Sequence, residues 1–340
     1  MIKKVLFITQ DPLVNFRQTI NGDGFSDDGR YRFYINDIDD TPDFVVVMGK
    51  GKTCNCSFGV PKERTMLITT EPYGIIEYPR RYCEQFGTVL ACQPEIKLSP
   101  KSSTRVVYIP AVLPWFVGAA FLKDRIEFTM NREDIAASQP EKSKFLSVIT
   151  SKKAFTKGHV DRSRFVKKLK EYYGDRVDVY GRGYKEFKDK WEVLSPYKYH
   201  IVIENSNCDY YWTEKLADCF LAGSYPFYYG CTNIEQYFSS DAYTPIDICN
   251  FESVVKLIED AEKQGVYENS RASLLEAKDK VLSKYNNFNM IAQVLDNLNI
   301  DCNKKGETFI KPLSAFFSFH NLYLHTIGWS FYKLLGKFFV

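Results

Sequence analysis

YKYHIVIENSNCDYYWTEKLADCFLAGSYPFYYG, residues 197–230, is the stretch whose reading decides the fold. Residues 199–203 alternate and then run apolar with β-branched side chains at the centre, the pattern of a buried strand. The strand stops at Glu204-Asn205-Ser206, and a polar loop follows. Thr213 is placed to cap a helix whose apolar positions Leu216, Cys219 and Phe220 recur at helical spacing. Gly223 ends that helix, and 225–229 reads as the next strand. Strand, loop, helix and strand make a βαβ unit, which implies an α/β fold with a parallel sheet.

In open α/β sheets, ligands sit beyond the carboxyl ends of strands, where helix N-termini point backbone N–H groups at anions. Glu204, Asn205, Tyr211, Glu214 and Lys215 fall there within twelve positions. A cation, a carboxylate and an amide beside a helix N-terminus suit a sugar joined to a diphosphate. Spacing alone equally allows a surface loop before an ordinary capped helix.

The pattern ENSxxxxYxTEKLxxxxxAGxxPxxYG resembles the signature of the α-1,3-fucosyltransferases, glycosyltransferase family 10, and of its bacterial type. It departs at Trp212, Tyr225 and Phe227, positions of packing rather than polar roles. The resemblance implies two facing Rossmann-like domains (the GT-B type) and transfer of fucose from GDP-fucose. It also implies that Asn205, Tyr211 and Lys215 meet the donor, with Glu204 beside them.

The 340 residues exceed one comfortable core and suggest two domains, and 45% hydrophobic content is enough to fill both. A net charge of +3 gives no argument for nucleic acid, although it does not oppose an anionic donor or a membrane surface. Nine cysteines are an odd number, Cys92, Cys219 and Cys249 lie in apolar patterns, and Cys54 and Cys56 are too close for the usual metal spacing. The chain reads as reduced and cytoplasmic. Its start, MIKKVLFITQDPL, has an apolar run too short for a signal peptide or anchor.

From 1 to 143, segments 5–9, 31–35, 44–48, 65–69, 88–92 and 105–109 read as short strands, which helical connections would make a Rossmann-like, acceptor-binding domain. Asp37-Ile38-Asp39 has the form of a metal-holding DxD, but sits in an acidic, proline-containing turn, the preferred reading. Gly49-Lys50-Gly51-Lys52 lacks P-loop spacing and reads as a basic turn. Glu71 directly follows a strand. A sugar hydroxyl is a poor nucleophile until a base takes its proton, and the resemblance gives Glu71 that role, with Glu77 its nearest rival. The aromatics of 112–116 are expected to pack, and 131–144 reads as a linker.

A GDP-sugar donor domain is expected over 144–300, with strands at 145–150 and 177–180, a helix at 161–173, a last strand at 247–250, and helices at 251–264 and 271–285. Arg162, in RxxFxxxL, matches the family element whose arginine contacts the pyrophosphate; a guanidinium meets phosphate oxygens bidentately. Lys153, His159 and Arg164 are weaker companions. Gly181-Arg182-Gly183 closes a strand, and Gly181 would let a ligand approach the backbone.

Within the tail, 301–340, residues 309–340 carry ten aromatic residues with Lys311, Lys333 and Lys337 interleaved and no acid. It suits a membrane-surface segment, on the inner face, or packing back onto the domains.

The expected chemistry is inverting transfer to an oligosaccharide or glycolipid acceptor, in lipopolysaccharide or capsule assembly. Glu71 serves as base, Glu214 stabilises the oxocarbenium-like transition state, and Arg162 and Lys215 take up charge on the departing GDP. No metal and no tightly bound cofactor is called for, and no nucleic acid. A different nucleotide sugar, or a non-catalytic glycan-binding protein on the same fold, are the alternatives.

Overall fold

The computed structural model of the protein describes residues 2–151 and 157–317, without the side chains of residues 157 and 159. The chain forms two compact units, and the break falls between Pro114 and Trp115.

The first unit holds residues 2–114, 209–211 and 283–317. Six parallel strands, β1 (Lys3–Ile8), β2 (Tyr31–Ile35), β3 (Phe44–Met48), β4 (Thr65–Ile68), β5 (Thr88–Ala91) and β6 (Arg105–Tyr108), pair in the order β2-β1-β3-β4-β5-β6. These are the six strands read from the sequence. Side chains alternate across the pleat, so one face carries Val5, Phe7, Phe33, Val46 and Ile68 and the other Leu6, Ile8, Val45, Val47 and Leu67. Both faces are covered, which is why β3 is an unbroken apolar run.

The cover differs from the expected helical connections. The β1–β2 connection holds two 3-10 turns, Phe16–Gln18 and Ile20–Gly22. Helix Asn287–Asn297 supplies the missing layer from far along the chain. Its Phe288 ring lies 5.0 Å from Phe33 and 6.0 Å from Phe7. Residues 283–300, assigned from sequence to the donor domain, therefore build the first unit's core. The opposite face takes Tyr82, Phe86, Ile310 and Leu313. Strand Thr308–Ile310 pairs antiparallel with Cys56–Phe58, so the described part of the aromatic tail packs on this unit. Residues 318–340 lie outside the described residues.

The second unit holds 115–151, 157–208 and 212–282. Its parallel strands, β7 (Lys144–Ile149), β8 (Val177–Tyr180), β9 (Tyr197–Ile203), β10 (Tyr225–Tyr229) and β11 (Thr244–Pro245), run in the order β8-β7-β9-β10-β11. The first strand of each unit thus sits between the second and the third, the doubly wound arrangement. The strand expected at 247–250 is a turn: Asp247 accepts from the Cys249 amide at 2.9 Å, and Asn250 caps helix Phe251–Lys263. The linker expected at 131–144 is also ordered. Asn131 and Asp134 form a capping box on helix Arg132–Ala137, and Lys142 donates to Ser195 O (2.8 Å), Ala222 O (2.6 Å) and Ser224 Oγ (3.2 Å). The aromatics of 112–116 pack as expected at Trp115, which is 2% exposed.

Candidate functional site

Within the second unit the strand order reverses between β7 and β9, so the carboxyl end of β9 is the place such a sheet offers a ligand. Glu204 follows directly and is fully buried. Its carboxylate accepts from Thr213 N (2.8 Å), Thr213 Oγ1 (2.8 Å) and Lys215 Nζ (3.2 Å), pinning the loop 204–213 to the start of helix Glu214–Leu221. Burial pushes this carboxyl above its ordinary range, and Lys215 opposes that. Glu204 therefore positions Lys215 through oxygens already engaged inside the protein. Gly230 is needed beside it, because a Cβ there would come within 2.5 Å of Glu204 Cγ.

Lys215 also lies 3.5 Å from Glu214, and Glu214 lies 3.8 Å from Lys190 on helix Lys190–Leu194. Lys190 in turn bonds Asp218 at 2.6 Å. Three carboxylates and two ammonium groups so alternate through one region. Burial acts to raise the Glu214 carboxyl, but Lys215, Lys190 and the hydrogen bonds at the helix start together hold the group below its usual range. Lys190 and Asp218 were not found from sequence. Asp218 reads as the polar side of the helix, and Lys190 is one lysine among several between 185 and 198.

Arg162 extends from helix Lys157–Tyr173, is 7% exposed, and donates from Nη1 to Asn205 Oδ1 at 3.4 Å. Its Nε is buried and meets no partner among the described residues. A guanidinium has five donors, and leaving them unpaired in a buried place is costly, so this geometry suits an anion. Burial pushes its pKa down, against the nearby Glu204 charge. Gly181 has a physical reason apart from any ligand. Its φ is +117°, and a Cβ would stand 1.8 Å from the Thr150 carbonyl oxygen at the end of β7. Lys153 and the side chain of His159 lie outside the described residues.

In the first unit, Glu71 stands three residues beyond β4. Its Oε2 accepts from the Tyr211 hydroxyl at 3.2 Å, and Gln93 Nε2 donates to its backbone carbonyl and, at 2.9 Å, to that of Ile76. Tyr211, expected with the donor residues, is thus placed on the carboxylate read as the base. Gln93, 1% exposed and two residues beyond β5, is the third residue that sequence reasoning missed. The Asp37–Asp43 segment is the expected turn, with the Lys4 amide bonded to Asp43 at 2.7 Å. Among the described residues, no group of three or more His, Cys, Asp or Glu is arranged to hold a metal, and all nine cysteines are free thiols.

Residues 139–269 match the family model described as glycosyltransferase family 10 (fucosyltransferase) C-term. The chain is a glycosyltransferase, and the matched residues fall in its second unit apart from 209–211. Among solved structures it is similar to an α1,3-fucosyltransferase with GDP-fucose, at 18% identity and a TM-score of 0.47, over 88% of this chain and 91% of that one. An α1,3-fucosyltransferase structure with GDP gives 17% and 0.46, over 82% and 89%. An α-glucosyltransferase in complex with UDP gives 8% and 0.48, over 88% and 100%.

Proposed function

We propose that the chain transfers fucose from GDP-fucose to a hydroxyl of a glycan acceptor, inverting the anomeric carbon in a single displacement. The observation that carries the donor half is the buried Arg162 guanidinium with its unpartnered Nε, bonded to Asn205 just beyond β9, where the neighbouring Glu204 holds Lys215. The family description supports the choice of fucose.

In this reading Arg162 and Lys215 take up the charge that grows on the departing diphosphate, the step at which fixed electrostatics contribute most. Those two cations meet the phosphates without calling for a metal. Glu214, kept ionised by its lysines, stabilises the positive charge that develops on the sugar ring. Glu71, oriented by Tyr211, accepts the acceptor proton as the new C–O bond forms and the old one leaves with its electron pair on GDP. Asn205, bonded to Arg162, holds that guanidinium for the donor.

The acceptor is an oligosaccharide or a glycolipid, and the aromatic tail after residue 317, with Lys333 and Lys337, holds the enzyme at the cytoplasmic face of a membrane. Cosedimentation with anionic vesicles, lost on truncation after residue 317, tests the last point. The reaction is tested by GDP release from GDP-fucose in the presence of a glycan panel. Glu71→Gln and Glu214→Ala proteins with unchanged melting should lose about a hundredfold or more in rate. Full rates in both would remove the assignment.

A further inference from the structure

We propose that Lys190, clamped by Asp218, is a positioning residue that keeps the Glu214 carboxylate ionised and fixed for the donor sugar. This rests on the reading of Glu214 given above.

Glu214 and Asp218 are four residues apart on one helix, so their carboxylates lie on the same side and repel. Lys190 Nζ sits with both, 2.6 Å from Asp218 Oδ2 and 3.8 Å from Glu214 Oε1. Its freedom to leave is small. The side chain is 12% exposed, and the ammonium lies 4.4 Å from the centre of the Phe116 ring. Asp218 is itself held, because its Oδ1 accepts from the amides of Phe116 (2.7 Å) and Val117 (3.1 Å). The helix that carries Lys190 is tied down at Asp189, whose carboxylate accepts from Trp191 N (2.8 Å), Gly118 N (3.0 Å) and Thr129 Oγ1 (2.8 Å).

Two cations face Glu214, and they differ in what else they touch. Lys215 is shared with Glu204 and, in the proposed reaction, with the donor diphosphate. Lys190 is shared only with Asp218 among the ion pairs of the described residues. A phosphate that draws Lys215 away leaves Lys190 as the charge that keeps Glu214 from taking up a proton. The remaining charged neighbours, Glu204 at the end of β9 and Asp218 on Glu214's own helix, are both acidic and act the other way.

The test is titration of the carboxyl carbons in protein labelled at glutamate Cδ, with the Glu214 signal assigned by its loss in Glu214→Gln. In Lys190→Met the Glu214 midpoint should rise by about one pH unit or more, and in Lys190→Arg it should return toward the parent. Lys190→Gln keeps a hydrogen bond to Asp218 without the charge and decides the question if Lys190→Met does not fold. An unmoved midpoint overturns the coupling. In the second arm, GDP release from GDP-fucose without acceptor should lose its acid limb at correspondingly higher pH, while GDP affinity at pH 8 stays within about twofold. A limb that does not move, or a uniform loss at every pH, overturns the positioning role. Parent protein that neither binds nor turns over GDP-fucose sinks the donor reading instead, and the titration still decides whether Lys190 sets the charge on Glu214.

Discussion

The Tyr211 hydroxyl donates to Glu71 Oε2 at 3.2 Å, joining two residues 140 positions apart in the sequence. Tyr211 is 1% exposed, so the bond is made from a fixed ring. A neutral donor on a carboxylate stabilises its ionised form and restricts its rotation, which is what a base needs before an acceptor arrives. Tyr211→Phe should therefore lower transfer to acceptor with little effect on GDP affinity. The stability cost should be roughly 1.5 to 3 kcal/mol, the range for a hydrogen bond to a charged group. Steady-state rates alongside calorimetric GDP binding check this; equal losses in both would place Tyr211 on the donor.

Lys215, 27% exposed, pairs with the fully buried Glu204 carboxylate at 3.2 Å. Removing the lysine leaves a fully buried carboxylate with only Thr213 to satisfy it. Lys215→Met should cost about 3 to 5 kcal/mol in urea unfolding, while the double change Lys215→Met with Glu204→Gln should recover part of the loss. Additive costs would show that the pair is not coupled.

His200 lies within β9, with its Nδ1 2.7 Å from Ser147 Oγ on β7, and burial lowers its pKa to about 3. Between that value and the ordinary value near 6.5, the unfolded chain binds a proton that the folded one does not. Stability therefore rises with pH across this window and falls on acidification from about 6.5 toward 3. His200→Gln should flatten the dependence between about pH 6.5 and 4, as followed by urea midpoints. An unchanged slope would mean that other groups set it.

How much was legible follows the range of the interactions involved. All six strands of the first sheet and the βαβ unit around Glu204 follow from local periodicity, and Thr213 caps its helix as read. Helix Asn287–Asn297 was missed as part of the first unit because nothing local ties Phe288 to Phe33; that pairing spans most of the chain. The site divides in the same way. Arg162, Glu214 and Lys215 stand out by residue type near strand and helix ends, whereas Lys190, Asp218 and Gln93 act only through partners that the fold brings to them. Tyr211 carried the right signal, a polar aromatic in the motif loop, but sequence could not say that Glu71 was its partner.

Phe288 tests the assignment of 283–317 to the first unit. It is 0% exposed among Phe7, Phe16 and Phe33. Phe288→Ala should cost about 3 to 5 kcal/mol. Hydrogen exchange should show faster opening in β1 and β2 while the β9–β10 amides keep their protection. Faster exchange confined to the second unit would contradict the division.

The most direct measurement is calorimetric titration of the protein with GDP, GDP-fucose and UDP, repeated on Arg162→Ala. The account predicts binding of GDP and GDP-fucose and none of comparable strength with UDP. It also predicts a loss of about tenfold or more, at least 1.4 kcal/mol, when the buried guanidinium is removed. Tight UDP binding without GDP binding, or an Arg162→Ala protein that holds GDP as firmly as its parent, would contradict it.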